Sequence, residues 1–233
     1  MCGRYTLTSS AAELARHFWL EREPRLVARY NIAPSQPVCA VMEDRDQGGP
    51  PQCRLMHWGL VPRWAKDTAI ANRLINARSE TAAAKPAFRA AMRYRRCLIP
   101  ANGFYEWQRT GTRKQPHMIA MVDGGLFAMA GLWEHWQSEN GDELESCVVL
   151  TTEPNELMAP IHNRMPVILA RDDYRAWMDP TQTEASQVQP LLRPAPAEQM
   201  AAIKVGTVVN NPRNDTPACA EPVEVDGGLF GDG

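Results

Sequence analysis

No run of about 18 apolar residues occurs in the 233-residue chain, and its first residues lack the basic, apolar and small-residue order of a secretory signal. A membrane-spanning helix is therefore not expected, and the reading is of a cytoplasmic protein. Its six cysteines, Cys2, Cys39, Cys53, Cys97, Cys147 and Cys219, are scattered and form no C-x-x-C pair. Neither a zinc site nor a disulfide scaffold is predicted, and all but Cys2 read as small apolar packing residues. A strong overall charge is also missing: the formal net charge of −2 argues against a protein that coats nucleic acid through its whole surface.

What is present begins at the second residue. The chain opens MCGRYTLTSS, and a small residue in second place lets the initiator methionine be trimmed, leaving Cys2 with a free α-amine beside its thiol. An α-amine titrates near ~7.7 to 8.0 and a thiol near ~8.5, so both are partly nucleophilic at cellular pH. The competing reading is that the residue after methionine is arbitrary. Charge is also unevenly spread. From Arg63 to Arg96 there are nine basic residues against two acids, a local +7, which leaves −9 for the rest of the chain. Such a segment suits a phosphate-lined groove on one face; a solvated helix face is the alternative for RAAMRYRR.

The length and apolar content suffice for one large domain. SSAAEL reads as a helix start, with Ser10 as cap and Glu13 three residues on. PVCAVM, CRLMHW, RCLIP, GFYEWQR, HMIAMV, LFAMAGLW, ESCVVLTT, MPVIL and KVGTVV read as short strands between turn residues. Hairpins are predicted at TGTRKQ and at DGG, and helices at SETAAAKPAFRAAMR, PNELM and RDDYRAWM. This pattern predicts an α+β fold: a single β-rich domain of antiparallel strands over 2–217, with a partly closed barrel as one form of it, flanked by short helices. Residues 218–233 read as a mobile acidic tail, since DTPACAEPVEVDGGLFGDG carries five acids and no base.

Polar residues gather in four short runs: CGR, LINARSET, ANGFYEW and PIHNRMPVIL. In ANGFYEW, strand alternation puts Glu106 on the face of Phe104 rather than with Tyr105 or Trp107. It is then either a buried carboxylate suited to proton transfer or an edge-strand residue facing water. His162 lies in a loop beside Asn163 and Arg164, catalytic or merely solvated. Asn76 and Arg78, two apart in an extended segment, would point the same way, one to orient a nucleophile and the other to hold a phosphate, unless capping at Ser79 explains that polarity. WGLVPRWAKD mixes Trp58, Pro62 and Trp64 with Arg63 and Lys66, as a base-stacking surface would, although core packing is the default for tryptophan.

These runs, with RYNIAPSQPV, WGLVPRWAKD, INARSET, RCLIPANGFYEW, GLWE, TTEPN, IHNRMPVIL and VNNPRND, resemble the SOS response-associated peptidase (SRAP) family over nearly the whole chain except the final tail. The resemblance implies a shield of abasic sites in single-stranded DNA that cross-links to them. It implies that Cys2 is the nucleophile after Met1 removal, that Asn76 positions its amine, and that Glu106 and His162 move protons. It further implies that Arg4, Arg78 and Arg164 contact the DNA backbone, while Trp58, Pro62 and Trp64 border the strand path. The expected partner is single-stranded DNA carrying abasic sites, including single-strand/double-strand junctions, with no membrane, no metal and no cofactor, and with the protein a monomer that joins the nucleoid when bound to DNA. Lyase-type chemistry and self-removal of Met1 are part of that expectation. Two rival functions are an N-terminal-nucleophile cysteine peptidase and a non-catalytic reader of modified or single-stranded DNA.

Overall fold

The computed structural model describes residues 2–43 and 49–223. Its strands are β1 (Tyr5–Leu7), β2 (Arg29–Ile32), β3 (Pro37–Met42), β4 (Gln52–Trp58), β5 (Asn76–Arg78), β6 (Arg96–Ala101), β7 (Gly103–Thr110), β8 (Arg113–Met121), β9 (Phe127–Gln137), β10 (Glu143–Thr152), β11 (Met165–Pro166), β12 (Ile168–Leu169) and β13 (Met200–Lys204). The helices are short: α1 (Ala11–His17), α2 (Ser79–Ala82), α3 (Arg89–Tyr94), α4 (Tyr174–Met178) and α5 (Ala185–Val188).

Five strands form a closed ring in the order β3–β4–β10–β9–β6 and back to β3. An odd ring cannot alternate strand direction all the way round, so at least one neighbouring pair must be parallel. That pair is β4 with β10, Ser146 standing opposite His57; the other four are antiparallel. A barrel this small is filled by its own side chains, and Val41, Leu98, Met129, Leu132, Val148 and Leu150 are all buried. A second, antiparallel sheet runs β13–β8–β7–β1–β2. Among the described residues no helix is long and apolar enough to cross a membrane.

The first helix forms as its cap predicts. The Ser10 hydroxyl accepts from the Glu13 amide and the Glu13 carboxylate accepts from the Ser10 amide, closing a capping box. The TGTRKQ hairpin also forms: Thr110 pairs with Arg113 around Gly111, whose φ of 60° is a conformation only glycine adopts without cost. DGG does not make a hairpin. Val122 stays with the β13 side through a bond to the Gln199 carbonyl, Asp123 accepts from Gly125, and the chain crosses into the barrel, where β9 pairs with β6, β10 and β12. The crossing suits β9, whose first six residues are buried on both faces.

Further expectations are corrected. PNELM is a chain of turns rather than a helix, because the Asn155 side chain accepts from Met158 and Pro160 interrupts the run. SETAAAKPAFRAAMR is two helices, α2 and α3, separated around Pro86. The strand predicted over KVGTVV ends at Lys204, and Thr207–Asn210 is a 3-10 turn. Cys39 and Cys53, expected as free packing residues, are joined as a disulfide across β3–β4. Ordered structure also continues beyond residue 217: Cys219 is buried, Pro222 bridges to Val205, and the Val223 amide donates to Lys204. The mobile tail expected from 224 onward lies outside the described residues.

Candidate functional site

β1 is clamped between β7 and β2, with Tyr5 opposite both Phe104 and Ile32. The pairing extends toward the chain start through the Tyr105 amide, which donates to the Arg4 carbonyl at 2.9 Å. Cys2 is thereby carried into the interior beside β7 and is fully buried. From the barrel side, β5 runs parallel to β10, Asn76 opposite Val149, and its side-chain amide donates to the Cys2 carbonyl at 2.8 Å. The Asn76 Oδ1 is buried and has no hydrogen-bond partner among the described residues. An acceptor with no donor therefore stands beside residue 2.

Glu106 is buried, at 3% exposure, next to fully buried Phe104 in alternation. β7 is an interior strand with β1 on one side and β8 on the other, so the water-facing alternative is removed. Burial, and then the nearby Glu106 carboxylate, push the Cys2 thiol well above its ordinary value. The thiol is therefore neutral at cellular pH, and its sulfur lies 4.0 Å from the Arg4 carbonyl. His162 reaches the same place from the loop after β10. Its Nδ1 lies 3.0 Å from the Arg164 amide and 3.1 Å from the Arg164 carbonyl, contacts that fix the orientation of the ring. Glu106 and His162 line one pocket of about 430 Å³ with Trp107, Arg109, Lys114 and Asn210. Among the described residues no three of His, Cys, Asp and Glu converge as a metal-ligand set.

The three arginines have different surroundings. Arg4 is half-buried and donates to Asn31 Oδ1 and to the Val209 carbonyl, while its guanidinium lies 6.0 Å from the Trp107 ring centre. Arg164 is fixed as a strut: it makes a bidentate pair with Glu80 at 2.8 and 2.9 Å and donates to the Thr151 carbonyl. The Arg164 hydrogen bond in turn holds the Glu80 carboxyl below its usual range. Arg78, at the end of β5, is exposed and shares a face with Asn76 across buried Ala77. Part of the basic segment is also internal structure. Arg95 pairs with Glu134, and Arg96, 4% exposed, donates to the carbonyls of Trp177, Met92 and Asp179. The outward cations of the segment are Arg63, Lys66, Arg73, Arg78, Lys85, Arg89 and Arg93, the last paired with Glu184.

Two residues of the aromatic run are not at the surface. Trp58 is 1% exposed, packs edge-on against Tyr5 and donates to the Ile75 carbonyl; Pro62 is buried. Neither can border a strand path, because their apolar surface is spent in the core. The loop they begin turns at Gly59, where φ is 138° and a Cβ would stand 2.7 Å from the Ala71 carbonyl oxygen. Trp64 alone projects, at 60% exposure. Trp58→Ala should cost about 3–5 kcal/mol of stability. Trp64→Ala should leave the melting temperature nearly unchanged and weaken single-strand binding by about 1–3 kcal/mol. Thermal melts and titrations of the two variants separate these outcomes; a stability collapse in Trp64→Ala would make it a core residue.

Sequence reasoning missed the clasp behind Arg4. Asn31, fully buried, donates to the carbonyls of Val209, Asn211 and Asn214, and Asp215 accepts from the Tyr30 and Asn31 amides and from Arg29. Burial works against the Asp215 carboxylate, but the Arg29 guanidinium and those amides hold it below its usual range. RYN and VNNPRND carry polar residues in otherwise short-strand surroundings, and that was the available signal. Their pairing across the chain was not readable from spacing.

The family model described as SOS response associated peptidase (SRAP) matches residues 1–212. Among relatives, the abasic site processing protein YoqW of Bacillus subtilis (strain 168) is 41% identical over 225 residues, covering 95% of this chain and 99% of its own. The abasic site processing protein YedK of Escherichia coli (strain K12) is 30% identical over 235 residues, with 96% and 100% covered. The abasic site processing protein HMCES of Gallus gallus is 32% identical over 267 residues, with 97% and 79% covered. A crystal structure of a protein from Bacteroides thetaiotaomicron superposes with a TM-score of 0.84 at 24% identity, covering 96% of this chain and all of that one, and shows the shared fold.

Proposed function

The chain belongs to the SOS response-associated peptidase family, and from that premise we propose that it captures abasic sites in single-stranded DNA as a covalent cross-link through Cys2. The observation that carries this reading is the hold of Asn76 on the chain start. Asn76 grips the Cys2 carbonyl with its amide and keeps Oδ1 without a donor, which suits it to receive an N–H of the Cys2 amine once Met1 is gone.

An abasic deoxyribose exists partly as an open aldehyde. The Cys2 amine attacks the aldehyde carbon, the resulting carbinolamine loses water with proton transfers through Glu106 and His162, and an imine forms. The thiol then adds across the C=N bond, its proton passing to nitrogen, to close a five-membered thiazolidine. Closure removes the imine that would otherwise acidify the adjacent sugar proton and permit β-elimination. A neutral, buried thiol suits this order: the amine acts first, and the thiol is held beside the carbon it will reach. Arg78 meets the DNA backbone from its exposed position, and Arg4 does so from its partly exposed edge.

A denaturing gel with an abasic oligonucleotide tests the reading against its rivals. Transfer of the strand into a heat-stable protein band is expected. Binding without such a band would favour a non-catalytic reader, and turnover of a peptide unrelated to its own N-terminus, without cross-linking, would favour a peptidase.

A further inference from the structure

The β7–β8 hairpin carries a cationic pair that neither the fold nor the chemistry above uses. Arg109 on β7 stands directly opposite Lys114 on β8. Like charges directly opposed across an antiparallel pair destabilise it. Both side chains are exposed, and among the described residues neither has an ion pair or a side-chain hydrogen bond. Both line the pocket that holds Glu106 and His162. The unfavourable pairing is relieved by an anion placed between the two.

We propose that Arg109 and Lys114 form a phosphate seat that holds the backbone phosphate flanking the captured sugar and so sets the register of the strand over Cys2. The inference rests on the cross-linking reading. Arg109 lies three residues along β7 from Glu106, about 10 Å at strand rise and on the Trp107 face of the strand, and both residues line the one pocket. Recognition of a base is less suited to this end of the pocket. The one aromatic there, Trp107, donates its indole N–H to Asn210 at 2.7 Å and carries the Arg4 guanidinium near its ring. An arginine fork and a lysine point charge are complementary to phosphate oxygens.

The test uses Arg109→Gln, Lys114→Gln and the double variant, with two kinds of DNA. Binding of a single strand with a tetrahydrofuran abasic analogue, which has no aldehyde, is measured against salt. The slope of log K with log salt should fall by about 0.7 for each charge removed. Cross-linking of aldehyde-bearing strands is then measured with a neutral methylphosphonate at successive positions around the lesion. In the wild type one flanking substitution should slow the reaction more than the others, and the double variant should be indifferent to that position. Its pH–rate profile should keep the wild-type shape. An unchanged salt slope, a loss that ignores which phosphate is neutralised, or a displaced pH profile each overturns the seat, the last because it would mean the cations act through Glu106 or His162. Wild-type protein that binds the analogue but never cross-links the aldehyde strand would instead overturn the reading on which the seat depends.

Discussion

Glu106→Gln is expected to slow cross-link formation by about 10²- to 10⁴-fold while DNA affinity stays nearly unchanged, the scale of losing a general acid–base group. The amide keeps the shape and polarity of a side chain that is 3% exposed within β7, so the fold should tolerate the change, but it cannot accept and return a proton. A second readout follows from the charge itself. The Glu106 carboxylate helps to push the Cys2 thiol up, so its removal brings the thiol part of the way down, and Cys2 should alkylate faster than in the wild type while burial still holds it above the ordinary value. Slower cross-linking with faster alkylation identifies a proton-transfer group beside the sulfur. Equal losses of affinity and rate, with unchanged alkylation, would make Glu106 structural. His162→Ala should slow the reaction on the same scale, and the double variant should fall short of the product of the two single effects, because the two groups serve proton transfers at one carbon.

Much of this arrangement could be read from local patterns, for physical reasons. The Ser10 and Glu13 capping box, the Gly111 turn and the alternation that puts Glu106 with Phe104 are all decided within a few residues. Where distant partners decide, local patterns fail. DGG has hairpin residues, but β8 and β9 belong to different sheets. PNELM has helix formers, but the Asn155 side chain and the prolines either side of it favour turns. The ring of five strands requires a parallel pair, and no window of sequence contains that requirement.

The same division runs through the site. A cysteine behind the initiator methionine can be noticed without a fold, whereas Asn76 is brought to the chain start by the pairing of β5 with β10, and His162 shares a pocket with Glu106 from the loop after β10. Arginine is the residue most easily misjudged this way. Arg164 and Arg78 look alike in sequence, yet one is held by Glu80 and Thr151 and the other is exposed. Trp58 and Trp64, six residues apart, divide likewise into core and surface. In sequence Arg109 and Lys114 are an ordinary charged hairpin tip; only the register that opposes them, and the pocket they share with Glu106, gives them meaning.

Cys2→Ser is expected to abolish the heat-stable cross-link and to produce strand scission at the abasic site instead. After Met1 removal this variant keeps the α-amine, and the Asn76 amide can still hold the residue 2 carbonyl, since that bond is to backbone. Imine formation therefore persists, and borohydride should trap a covalent complex. What fails is the second step. A serine hydroxyl is a far weaker nucleophile than a thiol, so the imine stays open. An open imine acidifies the neighbouring sugar proton, and its loss expels the 3′ phosphate by β-elimination. Blocking the amine instead, by an uncleaved N-terminal extension, should remove both the cross-link and the borohydride-trapped species without causing scission, because no imine then forms. The pair of variants thus separates the two nucleophiles of one residue. Gel analysis with and without reductant reads both outcomes. A Cys2→Ser protein that forms an equally heat-stable adduct without reductant would show that sulfur has no essential part, and an extended protein that still cross-links would show the same of the amine.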